Sequence, residues 1–177
     1  MRTLDSTTSL RIAVQKSGRL TDKTITLLEG IGLKFDDYKR SLLVKCLNFD
    51  VELLLIRDDD IPEYVQDGVC DLGFVGANVV EEDQVDVEIL RGLNYGVCRL
   101  SLAAPKDGDI RKPADFDGKK VATSYPGITK RYFEKMGIDA EVITLSGSVE
   151  IAPRLKISDG ISDLVSTGNT LKANGLE

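Results

Sequence analysis

The chain has 177 residues, 42% of them apolar, which is enough to bury a core as one domain or as two small lobes. Lysine and arginine total 23 against 29 aspartates and glutamates, a formal net charge of -6 that argues against non-specific binding to nucleic acid or anionic membranes. The absence of histidine excludes an imidazole base, a Ser-His-Asp triad and histidine-ligated zinc. Cys46, Cys70 and Cys98 are widely spaced and odd in number, so they read as small packing residues and not as a disulfide or zinc framework. The first ten residues contain no apolar core of signal-peptide length, and no apolar run approaches a membrane span. The expected address is the cytoplasm.

In chain order, LRIAVQ (residues 10–15) predicts a strand. A loop and an amphipathic helix over 21–30 follow, with Ile25, Leu27 and Leu28 on its buried side. FDVELLLIR (49–57) predicts a buried strand, IPEYVQDG (61–68) a short helix with proline in its first turn, and DLGFVG (71–76) a third strand. A strand then runs into a Pro/Gly/Asp loop over 96–109. The same grammar resumes with a strand in KKVATSY (119–125), a helix in PGITKRYFEKMGI (126–138) ending at Gly137, and a strand in AEVITL (140–145). GVCDLGFVG (68–76) is echoed by GISDLVSTG (160–168), read equally as a duplication or as two helix-to-strand junctions of one fold. Strands alternating with helices predict an α/β fold with parallel pairing. The expected form is two similar α/β lobes around a cleft, the type II periplasmic-binding-protein-like arrangement, divided as 1–100 and 101–177.

The strongest local signal is ISDLVSTGNTLKANG (161–175), an apolar strand ending in a Ser-Thr-Gly-Asn-Thr turn that opens a helix. Backbone N–H groups at a glycine turn, with the hydroxyls of Ser166, Thr167 and Thr170, suit a phosphate monoester. Asp163 would then accept hydrogen bonds from the attached ribose. An ordinary capped helix start fits the same residues.

This segment resembles the phosphoribosyl pyrophosphate loop of phosphoribosyltransferases, in the version carried by ATP phosphoribosyltransferases. Base-salvage enzymes carry two adjacent acids before the loop, whereas Ser162 precedes Asp163 here. Further blocks resembling that family are RIAVQKSGRL (11–20), LLIRDDDIPEYVQDGVCDLGFVGANV (54–79), CRLSLAAP (98–105), VATSYP (121–126) and GSVEIAPRL (147–155). The QKSGRL and DDDIP variants are similar to the long-form enzymes, which carry a C-terminal regulatory domain.

The resemblance implies transfer of the phosphoribosyl group from phosphoribosyl pyrophosphate to N1 of the adenine of ATP, the first step of histidine biosynthesis, with Mg2+ held mainly by substrate phosphates. Glu150, Asp163, Ser166, Thr167, Gly168, Asn169 and Thr170 are then expected to bind phosphoribosyl pyrophosphate. Lys16, Gly18, Arg19, Gly76, Asn78 and Cys98 are expected to contact ATP, and Arg57, Lys16 and, from a neighbouring subunit, Arg40 to serve the displacement at the pyrophosphate. Plainer readings stand beside these: an Arg57 ion pair with Asp58 or Asp60, a solvated Arg40, a solvated turn over 16–19, and a Glu150 that only offsets a helix dipole. Asp60 reads better as the N-cap of the helix at 61 than as part of a magnesium cluster. Thr123, Ser124 and Tyr125 follow a strand and are candidates for substrate contact, with Tyr125 equally suited to the core.

The expected partners are the two substrates and further copies of the chain, a dimer as the active unit and a hexamer for the full-length enzyme, with no nucleic acid or membrane. A solute-binding module and a phosphoribosyltransferase for another base are the competing readings. The expected chain is a fragment that lacks the return segment and the regulatory domain, ends in a frayed helix, and has weakened activity and no feedback inhibition by histidine.

Overall fold

Runs of apolar and β-branched residues in the first half produce three parallel strands, the first two of them buried on both faces. The computed structural model describes residues 9–18, 20–38 and 40–177. The chain divides into two units, Met1–Gly96 and Val97–Glu177. The first contains β1 (Leu10–Gln15), α1 (Thr21–Gly30), β2 (Leu43–Lys45), β3 (Val51–Ile56), α2 (Ile61–Gln66), β4 (Leu72–Phe74) and α3 (Ala77–Asp83). Its sheet has the order β2-β3-β1-β4, with β1 parallel to both β3 and β4. Ile12, Val14, Leu53 and Leu55 pack with Ile25 and Leu28 of α1, while Ala13 packs with Ile61 and Cys70. Burial on both faces explains why β1 and β3 read as nearly continuous apolar runs.

Three expectations are corrected here. Leu27 is 38% exposed, and the buried face of α1 is completed by Thr21 and Thr24. Their hydroxyls are satisfied, Thr21 Oγ1 donating to the Gln15 carbonyl (2.9 Å) and Thr24 Oγ1 sharing a hydrogen bond with Tyr95 (2.8 Å). Pairing is not wholly parallel, since β2 runs antiparallel to β3. Of the three cysteines only Cys70 is buried; Cys46 is half-buried and Cys98 exposed.

The second unit contains β5 (Arg99–Ala103), β6 (Lys120–Thr123), α4 (Pro126–Met136), β7 (Glu141–Thr144), β8 (Gly160–Val165) and α5 (Asn169–Ala173), with 3-10 turns at Pro113–Phe116 and Val149–Ile151. The sheet order is β5-β8-β6-β7, with β6 parallel to β7 and β8 and with β5 antiparallel to β8. The parallel triplets β3-β1-β4 and β7-β6-β8 therefore have the same order, and the two copies of the sequence echo fall on the equivalent third strands, β4 and β8. No helix among the described residues is long and apolar enough to cross a membrane.

The expected fraying after the last loop does not occur. Asn174 ends α5, Gly175 takes φ +70°, the Gly175 N–H donates to the Lys172 carbonyl (3.1 Å) and the Leu176 N–H to the Leu171 carbonyl (2.9 Å). These two bonds form a Schellman cap, and its usual apolar contact is present: Leu176 is 4% exposed and packs in one cluster with Leu171. Glu177 then exchanges backbone hydrogen bonds with Ala104 beyond the end of β5. Capping and burial, which do not require three helical turns, hold this five-residue helix.

Candidate functional site

Parallel strands place their carboxyl ends along one edge of a sheet, where α/β proteins collect ligand-binding loops. In the first unit that edge carries Lys16 and Gly18 after β1, Arg57 after β3, and Gly76 and Asn78 after β4. Arg40 reaches the same edge from the antiparallel side, because the Leu55 N–H donates to the carbonyl of Leu42 just before β2 (2.7 Å). Arg19 lies outside the described residues.

Arg57 is exposed, and its side chain forms no ion pair with Asp58 or Asp60 among the described residues. Arg40 is instead paired with Asp37 at 3.1 Å in an exposed position. Asp60 does occupy the N-cap position of α2, but its side chain makes no capping bond. Its backbone (φ -82°, ψ -19°) is already helical, whereas a capping side chain normally projects from an extended residue. Partial burial raises the pKa of Asp59, and the neighbouring Asp58, Asp83 and Asp60 add to the effect while Arg57 opposes it.

Beneath the first loop lies the Gln15 carboxamide. A Cβ built on Gly18 would come within 2.7 Å of it, so glycine there lets the loop close over Gln15. Asn78 folds back in the same way over Gly76.

In the second unit the carboxyl edge carries Tyr125 after β6, Glu150 after β7, and residues 166–170 after β8. Cys98 lies at this edge as well, since Arg99 of β5 pairs with Val165. Asp163 is half-buried on β8, with Oδ1 accepting from the Leu164 N–H (2.7 Å). Ser166, Thr167, Asn169 and Thr170 are exposed, and Gly168 adopts φ +78° as the residue that starts α5. The Asn169 N–H points to Thr167 Oγ1 at 3.4 Å. The Ser166 and Thr170 hydroxyls have no hydrogen-bond partner among the described residues, which leaves them available to a ligand. Glu150 lies in the 3-10 turn Val149–Ile151, whose neighbours Val149 and Ala152 pack in one cluster with Ile161 of β8.

Thr123 is corrected from a candidate contact to a support. It is fully buried, and its Oγ1 accepts from the Tyr125 N–H (2.9 Å). Thr129 Oγ1 lies 2.9 Å from Ser162 Oγ and 3.4 Å from Thr123 Oγ1, while Ser124 Oγ donates to the Leu145 carbonyl (2.7 Å). The buried Thr129 hydroxyl ties α4 to β8, and half-buried Ser124 ties the loop after β6 to the one after β7. Sequence reasoning missed Thr129 and Ser162; the spacing of Thr129 from Phe133, one turn apart on the buried face of α4, was the available signal.

The echo also separates function from fold. Phe74, Val75 and Gly76 in the first unit occupy the places of Ser166, Thr167 and Gly168 in the second. Of the two copies, the second offers hydroxyls with a left-handed glycine, the features that suit an anion-binding turn.

A family model described as ATP phosphoribosyltransferase (HisG) matches residues 57–177. An ATP phosphoribosyltransferase of Maricaulis maris is 49% identical across 97% of this chain and 60% of its own length. The chain thus spans about 60% of that curated relative. Among solved structures, the ATP phosphoribosyl transferase (HisG:HisZ) complex from Thermotoga maritima matches with a TM-score of 0.81 and 36% identity, covering 95% of this chain and 80% of the other. The periplasmic aliphatic sulphonate binding protein SsuA from Escherichia coli matches with a TM-score of 0.57 and 17% identity over 96% of this chain and 59% of its own, a likeness of fold alone. The fold is α/β and type II periplasmic-binding-protein-like.

Proposed function

Because the chain belongs to the ATP phosphoribosyltransferase family, we propose that it carries the catalytic region of that enzyme and takes part in the first step of histidine biosynthesis. The bond formed joins adenine N1 of ATP to the anomeric carbon of phosphoribosyl pyrophosphate. The bond broken joins that carbon to pyrophosphate, which leaves with the electron pair. The observation that carries the reading is the turn over 166–170 at the carboxyl end of β8, with a left-handed Gly168 and exposed hydroxyls beside Asp163.

The turn holds the 5-phosphate through backbone N–H groups and the hydroxyls of Ser166, Thr167 and Thr170, with Asn169 beside them. Asp163 and Glu150 accept hydrogen bonds from the ribose hydroxyls. Arg57, exposed and without an ion pair among the described residues, holds the departing pyrophosphate, assisted by Lys16; Arg40, once released from Asp37, serves the same group from a neighbouring subunit. Lys16, Gly18, Arg19, Gly76, Asn78 and Cys98 contact ATP. No covalent nucleophile is required, which accords with a chain that has no histidine.

The described residues contain no group of three or more Cys, Asp or Glu able to hold a metal ion. We propose that magnesium would arrive with substrate phosphates, its usual partners, and would neutralise charge on pyrophosphate. The proposed place of work is the cytoplasm. We further propose homo-oligomerisation, on the strength of exposed Leu42, Leu43, Leu47 and Phe49 in and around the edge strand β2, and the long-form subclass, on the QKSGRL and DDDIP variants.

Incubation with ATP, phosphoribosyl pyrophosphate and magnesium, followed by ultraviolet detection of phosphoribosyl-ATP, tests the activity. Gly168→Val tests the turn: calorimetry is expected to find phosphoribosyl pyrophosphate binding abolished and ATP binding retained. Equal loss of both would remove the turn from the assignment.

A further inference from the structure

The loop that joins β1 to α1 starts at Gln15, the last residue of the strand, and ends at Thr21, the first of the helix. Both ends are fixed by hydrogen bonds. The Lys16 N–H donates to the Ile56 carbonyl (2.8 Å), and Thr21 Oγ1 donates to the Gln15 carbonyl (2.9 Å). Leu20 is held from outside the loop as well, since a Cβ added to Gly96 would lie 2.3 Å from its Cδ2, and the adjacent Tyr95 hydroxyl bonds Thr24 of α1 (2.8 Å). Any rearrangement of the loop therefore falls on the residues between, and there Gly18 has φ +140°, a backbone that suits glycine.

Gly18 lies against the Gln15 side chain. A Cβ added to it would come within 2.7 Å of both Oε1 and Nε2, so the two residues meet with nothing between them. Gln15 Oε1 is shielded from solvent and has no hydrogen-bond partner among the described residues. A sealed acceptor without a donor is destabilising, and a methionine of similar length would fill the same space without that cost. Packing alone does not account for the carboxamide. In the same loop the N–H groups of Ser17 and Gly18 form no hydrogen bond among the described residues. Donors and acceptor thus stand unmatched within one short loop.

We propose that Gln15 is a positioning residue for the nucleotide, with Oε1 accepting the Gly18 N–H when phosphate occupies the loop. Turning the peptide between Ser17 and Gly18 replaces the Cα that faces the carboxamide by the N–H, a change that glycine permits. Phosphate favours this arrangement because it takes up the Ser17 N–H and the Lys16 ammonium together, and a ligand shifts a loop only through such a difference in contacts. Gln15 touches no ligand itself and acts through the loop above it. The inference rests on the proposed contact of residues 16–19 with ATP.

The test uses the 177-residue chain, with calorimetry for ATP and for phosphoribosyl pyrophosphate and with amide NMR of Gly18. Gln15→Met is expected to raise Tm by removing the sealed acceptor, to weaken ATP binding roughly tenfold and to leave phosphoribosyl pyrophosphate binding unchanged. In the unsubstituted chain ATP is expected to move the Gly18 amide proton downfield and slow its exchange with solvent, and in Gln15→Met to do neither. That signature separates a hydrogen bond from a general loss of structure, and in the unsubstituted chain it decides the matter even if the variant does not fold. Undiminished ATP affinity in Gln15→Met, or a Gly18 amide that ATP leaves unprotected, would overturn the inference. Lys16→Ala distinguishes the two levels: weaker ATP binding there with none lost in Gln15→Met overturns the role of Gln15 alone, whereas full affinity in both variants overturns the contact of the loop with ATP as well.

Discussion

Arg57 follows the buried strand β3, is exposed and forms no ion pair among the described residues, which supports its proposed role at the pyrophosphate. A donor aimed at charge that develops in the transition state is worth roughly 100-fold in kcat, and Arg57→Ala is expected to cost at least that while weakening substrate binding less. Arg57→Lys should recover only part, because an ammonium cannot make a planar two-donor contact. Steady-state kinetics checks both, and unchanged kcat in the alanine variant would exclude the role. Two residues along, Asp59 has a raised pKa from burial and three neighbouring carboxylates. A carboxyl whose folded pKa is raised favours the fold most below its unfolded pKa, and that contribution is lost as pH rises through the folded value. Asp59→Asn is therefore expected to raise Tm at neutral pH, with the gain shrinking under acid. A constant gain across pH would assign it to something other than titration.

At the scale of elements, the echoed glycines show one letter serving different physics. Gly68 has φ +70° and no atom within 4 Å of an added Cβ; it closes α2 as a left-handed cap. Gly160 has no such backbone, but its Cβ would lie 2.5 Å from the Phe116 ring and 2.8 Å from the Ala103 carbonyl. Close approach of β8 to β5 and to the buried Phe116 is what glycine permits there. Gly160→Ala is expected to destabilise by about 1–3 kcal/mol through overpacking, whereas Gly68→Ala should act only through backbone strain. Urea denaturation of the two variants compares them, and no loss in Gly160→Ala would mean that β5 and Phe116 yield easily. The strands and long helices were legible in the sequence because apolar periodicity is local. The antiparallel β2 and the short α3 were not, since a three-residue edge strand has too few positions to show a pattern.

For the whole molecule, Leu47 and Phe49 are 68% and 58% exposed in the turn between β2 and β3, beside exposed Leu42 and Leu43. Grouped apolar side chains beside an edge strand favour association. Light scattering after Leu47→Glu with Phe49→Glu is expected to find a smaller assembly than in the unsubstituted chain, and an unchanged mass would place any interface elsewhere. The family, the α/β class and the candidate turn with its hydroxyls were legible in the sequence alone, because each rests on residue identities at short spacing: Gly168 between hydroxyls, Asp163 before them, apolar runs between. The tertiary structure decided what depends on distant residues meeting. It showed that Thr123 is buried support and that the last helix is capped and docked through Leu176. Burial and hydrogen-bond satisfaction belong to the packed chain, so no local pattern can carry them.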